Sequence, residues 1–261
     1  MHLVVPGSPG LGQVDGIPAG EPAGLLRAVG DRGGGHVIVA CPRTGAALAK
    51  EQAHVVIAAR PGVRVAVLAL DHHPLGLTLI AAAVRQQVSA DADPGEVVGL
   101  IRSSAARSRS LVWYPRAWGV TEPPPTTGQR LASVFRPVGF FAEIGPVPAL
   151  LPARSGSPVG AHDQVYVAGD APIQLQTQLA VPVRTVPVRL EAGQPWQTRS
   201  AVPVAVLVGA GGPTGGPACP GCGAAQGPAG CDFCGTRRTG PEAEASVPLV
   251  AAGTDTAGRA G

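Results

Sequence analysis

Four of the five cysteines stand as two pairs, Cys219-Pro-Gly-Cys222 and Cys231-Asp-Phe-Cys234. A Cys-x-x-Cys turn offers two thiolates from one compact loop, and two such turns supply the four soft ligands that zinc takes at tetrahedral corners. Gly223 and Gly235 directly follow the second cysteine of each pair. The backbone must turn sharply there with its amides toward sulfur, and glycine does so without a Cβ clash. The spacing thus implies a Zn2+ cofactor held by Cys219, Cys222, Cys231 and Cys234. The same four thiolates can ligate iron. A redox dithiol is a different arrangement, one Cys-x-x-Cys at a βα turn rather than two in tandem.

With eight residues between Cys222 and Cys231, residues 217–238 resemble the zinc-ribbon family of knuckle modules. That resemblance implies a closed, structural metal site that folds its own loop and seldom performs chemistry. Its implied use is contact with a protein or nucleic acid, with Phe233, Arg237 and Arg238 beside it.

Three other places carry chemical groups. Asp71-His72-His73 ends an apolar run, and a carboxylate and two imidazoles at the carboxyl end of a strand suit a metal. The triplet resembles the signature of the DHH phosphoesterases, which use paired manganese ions, and Gly33-Gly34-Gly35-His36 is similar to that family's glycine-rich motif. The family's first histidine–aspartate motif is absent, however, and the glycine motif comes before the triplet instead of far downstream. The plainer reading is a strand-terminal turn with Asp71 as an N-cap. Cys41 ends a strand ahead of a helix, where a thiol pKa falls, so it reads as a nucleophile or as a small buried hydrophobe. Gly7-Ser-Pro-Gly-Leu-Gly12 lacks the Gly-Lys-Ser/Thr ending of a phosphate loop. His2, His54 and His162 are isolated. Trp113, Tyr114 and Trp118 form a small aromatic group suited to core packing or to anchoring a partner.

The elements that position these groups change along the chain. Residues 36–40 and 63–70 are strand-like, 44–50 helical, and 75–84 apolar on every face, which predicts a helix buried on a sheet. Asp93-Pro94-Gly95-Glu96 predicts a helix start, and residues 111–114 return as a strand. Apolar runs interleaved with helices imply a mixed or parallel sheet with covering helices. The sequence divides into an α/β domain at 1–118, a β-rich part at 119–210, a glycine-rich tether with the zinc ribbon at 211–238, and a disordered tail at 239–261. In the β-rich part, apolar residues alternate from Ile173 to Val183 and from Val202 to Val208, which reads as strands. Pro182, Pro187 and Pro203 confine them to edges or short pieces.

Composition bounds rather than identifies. Aromatics are 3% of 261 residues, and Lys50 is the single lysine, so arginine carries the positive charge. Glycine and proline make up about a quarter of the chain, which borders on low complexity. A net charge of +3 is too weak to point to nucleic acid. The amino terminus has no leader pattern, no run approaches the about 18 apolar residues of a membrane span, and paired thiols fit a reducing cytoplasm. No complete catalytic set is visible. The sequence reading is a non-enzymatic zinc-binding adapter that contacts a protein partner through its ribbon. The alternatives are a metal-dependent phosphoesterase using Asp71, His72 and His73, or a nucleic-acid-binding protein.

Overall fold

The chain builds two sheets with helices outside and between them in the computed structural model, which describes residues 1–6, 14–17, 23–30, 35–89, 91–120, 123–135, 139–145, 148–152, 159–160, 163–186, 201–207, 216–226 and 230–237. Strands β1 (His2–Pro6), β2 (Val14–Ile17), β3 (Gly35–Pro42) and β4 (Val63–Leu70) form a parallel sheet in the order β2-β1-β3-β4. Both of its faces are covered, which is why β3 and β4 are nearly continuous apolar runs. Helices α1 (Gly24–Val29) and α2 (Ala46–Ala59) press Leu25, Val29, Ala53 and Val56 onto Val4, Val37, Val39 and Val65. On the other face α3 (Pro74–Gln87) and α4 (Pro94–Arg107) place Leu77, Ile80, Val84, Val97 and Ile101 over Leu3, Val5, Ile38 and Leu68. The mixed α/β architecture and the helix starts near Pro74 and Pro94 agree with the sequence reading.

The second sheet contains β5 (Arg109–Tyr114), β6 (Phe140–Ile144), β7 (Ala149–Pro152), β8 (Gln164–Ala168), β9 (Val183–Val186) and β10 (Val202–Leu207), ordered β7-β6-β5-β10-β8-β9. Its pairs are antiparallel except β8–β9. Helix α3 lies between the sheets, since Leu75 and Leu79 meet Val186 and Ala205 while Leu77 and Ile80 face the first sheet. That double burial explains its all-round apolar sequence. A buried Leu or Ile contributes about 1.5–3 kcal/mol relative to exposure, so α3 is the pin joining the two halves.

Two local readings are corrected. Residues 173–179 form helix α6 (Ile173–Leu179), not a strand. Leu175 and Leu179, one helical turn apart, are buried against Val165, Val167, Val204 and Val206, while Ile173 is 81% exposed. Strand β10 is central rather than an edge, with Pro203 paired to Val112 as its second residue. A single missing donor near a strand's start leaves the rest of the ladder intact. Helix α5 (Thr127–Phe135) opens on a reciprocal cap. The Gln129 amide N–H donates to Thr126 Oγ1 at 3.2 Å, and the Thr126 N–H donates to Gln129 Oε1 at 2.8 Å. Among the described residues no helix is long and apolar enough to cross a membrane. Gly7–Gly12, Gly33, Gly34, His162, Pro187, Arg238 and residues 239–261 lie outside the described residues.

Candidate functional sites: a charged cleft and a four-cysteine loop

Strands β3 and β4 run in register from Gly35↔Val63 to Pro42↔Leu70, so both end at one level. The next residues, Arg43 and Asp71, are therefore neighbours. Arg43 donates from Nε at 2.7 Å and Nη2 at 2.6 Å to the two Asp71 oxygens, and those bonds hold the Asp71 carboxyl below the usual carboxylate range. The pair sits at the mouth of a cleft of about 440 Å³ between the sheets. Arg102 from α4, Arg109 from β5 and Glu143 from β6 complete its charged wall, while Leu70, Ala105, Ala106 and Ile144 give it apolar surface. Arg109 donates from Nε at 2.7 Å and Nη2 at 2.9 Å to Glu143. Each of the three guanidinium groups is paired with a carboxylate, Arg43 with Asp71, Arg109 with Glu143 and Arg102 with Asp232. Arg43 is 67% exposed, which leaves donors free for an incoming anion.

The two histidines part company. His72 lies in the cleft floor, where its Nε2–H donates to the Ala105 carbonyl at 2.9 Å and the Ser110 hydroxyl donates to Nδ1 at 2.8 Å. His73 points away and caps α3: the Gly76 N–H donates to Nδ1 at 3.0 Å, and Nε2–H donates to the Val204 carbonyl at 3.1 Å. Burial pushes both imidazoles below their ordinary value, His73 to about 4. Asp71 caps nothing; its oxygens are taken by Arg43. These side chains do not converge with carboxylates into a two-metal cage, and the phosphoesterase reading of Asp71, His72 and His73 fails. Cys41 is buried, its thiol 3.6 Å from the Leu68 carbonyl, and burial raises its pKa to about 11. It is a core residue and not a nucleophile. Trp113 and Tyr114 point to opposite faces of β5 into separate clusters, while Trp118 lies at the surface under the Arg130 guanidinium, so the three aromatics form no group.

The four cysteines do come together. Their sulfurs lie within 4.8 Å of one another, with Cys219–Cys234 at 3.4 Å and Cys222–Cys231 at 3.3 Å. A tetrahedral ion with metal–sulfur bonds near 2.3 Å needs sulfur–sulfur edges of about 3.8 Å, so this cluster can hold a metal. Amides of Gly221 and Cys222 point at the Cys219 sulfur, and those of Phe233 and Cys234 at Cys231. Gly223 and Gly235 have φ of +78° and +71°, the left-handed turn expected after each pair. Among the described residues no other group of His, Cys, Asp or Glu can hold an ion in this way.

The loop is docked onto the body. Cys219, Ala224, Cys231 and Phe233 belong to the same core cluster as Val97, Val98, Leu100 and Ile101. Asp93 Oδ1 caps α4 by accepting from Gly95 and Glu96, and it also accepts the Ala225 N–H at 2.8 Å. A Cβ on Gly95 would lie 2.0 Å from the Ala225 carbonyl oxygen, so only glycine allows this approach. Phe233 packs its ring edge-on to His36 at 4.9 Å. Arg102 donates to both Asp232 oxygens, at 2.9 and 2.5 Å.

No family model matches the chain, and no curated protein is similar to it in sequence. Its structure is similar to several solved ones. A DegV family protein from Eubacterium eligens, loaded with heptadecanoic acid, superposes at a TM-score of 0.55 with 10% identity over 80% of this chain and 99% of that one. A DegV family protein from Corynebacterium glutamicum gives 0.55, 13%, 81% and 98%. The Streptococcus pneumoniae Fatty Acid Kinase B3 protein, loaded with linoleic acid, gives 0.53, 10%, 80% and 100%. At such identities the likeness shows the fold, and the fold is that of the DegV structures.

Two findings overturn the zinc-ribbon adapter. Four-fifths of the chain is built as the DegV fold, whose solved examples include proteins loaded with fatty acids. In addition, Phe233, named as a contact for a partner, is buried against the chain's own core. The nucleic-acid alternative through Arg237 and Arg238 falls with the same fold.

Proposed function

We propose that this chain binds a long-chain carboxylic acid, with the carboxylate in the cleft at the ends of β3 and β4. The observation that carries this reading is the convergence of Arg43, Arg102 and Arg109 around a 440 Å³ space with apolar walls. Support comes from the fold, since proteins sharing it are described as loaded with heptadecanoic or linoleic acid. A carboxylate needs donors in a fixed fork, and arginine supplies them bidentately. Arg43 is best placed to switch from Asp71 to the ligand, because it is the most exposed of the three. Asp71, Asp232 and Glu143 keep the guanidinium groups oriented before the ligand arrives. His72, neutral and doubly bonded, forms a rigid floor. The partner suited to this role is a protein that acts on the bound acid, since one structure of this fold carries the name of a fatty acid kinase protein.

The four cysteines belong to the same reading as ligands of a structural ion, zinc by the softness and spacing of the donors. When bound, the ion supplies folding energy to a loop rich in glycine. Calorimetric titration of the full chain with heptadecanoate tests the carboxylate function. Saturable binding at one acid per chain, weakened at least tenfold by Arg43→Ala, is expected. No binding up to the solubility of the acid contradicts it.

A further inference from the structure

Asp232 is the first residue inside the Cys231–Cys234 turn, so an ion held by those cysteines would also set its carboxylate. That carboxylate grips Arg102 through both oxygens, and Arg102 lines the cleft. The carboxylate side chain is only 19% exposed, so the pair is shielded on the loop side. A second contact runs from the loop to the same helix, because Ala225 shares the Asp93 cap of α4. A third is the apolar seam of Cys231 and Phe233 against Leu100 and Ile101. The loop therefore touches the cleft's wall at the helix start, along its side and at the one guanidinium that α4 contributes.

Resting on the readings of the cysteines as metal ligands and of the cleft as a carboxylate site, we propose that the four-cysteine loop is a metal-dependent jaw of the cleft, with Asp232 as the positioning residue for Arg102. Loading the loop fixes the turn, the turn fixes Asp232, and Asp232 holds a side chain with four rotatable bonds in place before the ligand enters. Removing the ion frees the turn and unfastens Arg102. A chelator then acts on ligand affinity from outside the cleft. Such a coupling between two sites is reciprocal, so a bound carboxylate also tightens the ion.

The test titrates heptadecanoate into four forms of the reduced full chain: wild type and the Asp232→Asn variant, each zinc-loaded and chelator-stripped. Stripping is expected to weaken wild-type binding at least fivefold, the lower range of ordinary coupling. In the variant, loaded and stripped forms should agree within about twofold. An unchanged wild-type affinity on stripping, or a variant that keeps the full metal dependence, overturns the jaw. Hydrogen exchange of β3 and β4 checks that the stripped body remains folded. Zinc stoichiometry, measured separately, shows whether the metal reading itself fails, and with no ion bound the jaw fails too. If heptadecanoate does not bind at all, the Arg102 Nε–H resonance gives the answer. It should move with zinc in wild type and stay fixed in Asp232→Asn; a resonance indifferent to zinc refutes the coupling whatever the ligand.

Discussion

Gly95→Ala separates a docked loop from a free one by the sign of its effect. In an isolated helix the change gains about 0.8–1 kcal/mol, because alanine loses less backbone freedom than glycine. Here the new Cβ would stand 2.0 Å from the Ala225 oxygen and 2.7 Å from its carbon and nitrogen, with ordinary contact beginning at 3.4 Å. The loop must retreat by about 1.4 Å, since a close-packed interior has no slack to absorb the overlap. That motion stretches the 2.8 Å bond from Ala225 to Asp93 beyond hydrogen-bonding range. A bond to a charged acceptor is worth about 1.5–3 kcal/mol. Subtracting the helix gain leaves a net loss of about 0.5–2 kcal/mol of stability; the helix gain is common to the loaded and stripped chain, so the loop's metal affinity falls by the bond alone, roughly tenfold to a hundredfold. Denaturant unfolding of the zinc-loaded full chain, with chelator competition for the ion, measures both quantities. A variant more stable than wild type, with unchanged metal affinity, would refute the docking.

Further predictions follow from single groups. His73 is pushed to about 4 in the folded chain from an ordinary 6.5, so the unfolded state binds more protons between those values. Its contribution to stability is whole above pH 6.5 and declines by about 3 kcal/mol as pH falls to 4; urea midpoints measured across that window should flatten in His73→Asn, which keeps a capping acceptor. Cys41, raised to about 11 by burial, should escape alkylation in the native protein at pH 8 and react once the chain is unfolded; rapid native labelling would contradict its place in the core. Arg109→Ala should weaken heptadecanoate binding and also lower stability by up to about 1 kcal/mol, because its pair with Glu143 is partly exposed; binding and melting measurements on one sample read both.

Some of this was legible in the residues. Asp93-Pro94-Gly95-Glu96 announces α4 because each residue meets a local need, and the cysteine pairs announce their cluster because the spacing alone closes the loop. The α6 segment misleads for a definable reason. Ile173, Leu175, Thr177 and Leu179 alternate with glutamines, yet that same series contains Leu175 and Leu179 four apart, which a helix buries together. The cleft was not legible. Arg43, Arg102, Arg109 and Glu143 come from four separate elements, and no spacing ties them together. The arginine excess read as composition. The β3–β4 register places Arg43 at the cleft, and the pairing of β5 with β6 sets Arg109 beside Glu143. Asp71, His72 and His73 show the converse: three adjacent residues that suggest a ligand set go to an ion pair, a cleft floor and a helix cap.

A carboxylate held among Arg43, Arg102 and Arg109 would be retained by the intact chain and released without those arginines. Native mass spectrometry of the full chain mixed with heptadecanoate tests this directly. One retained acid per chain, lost when Arg43 and Arg109 are both replaced by alanine, is the predicted result. A chain that retains none, or retains it undiminished without those two arginines, would contradict it.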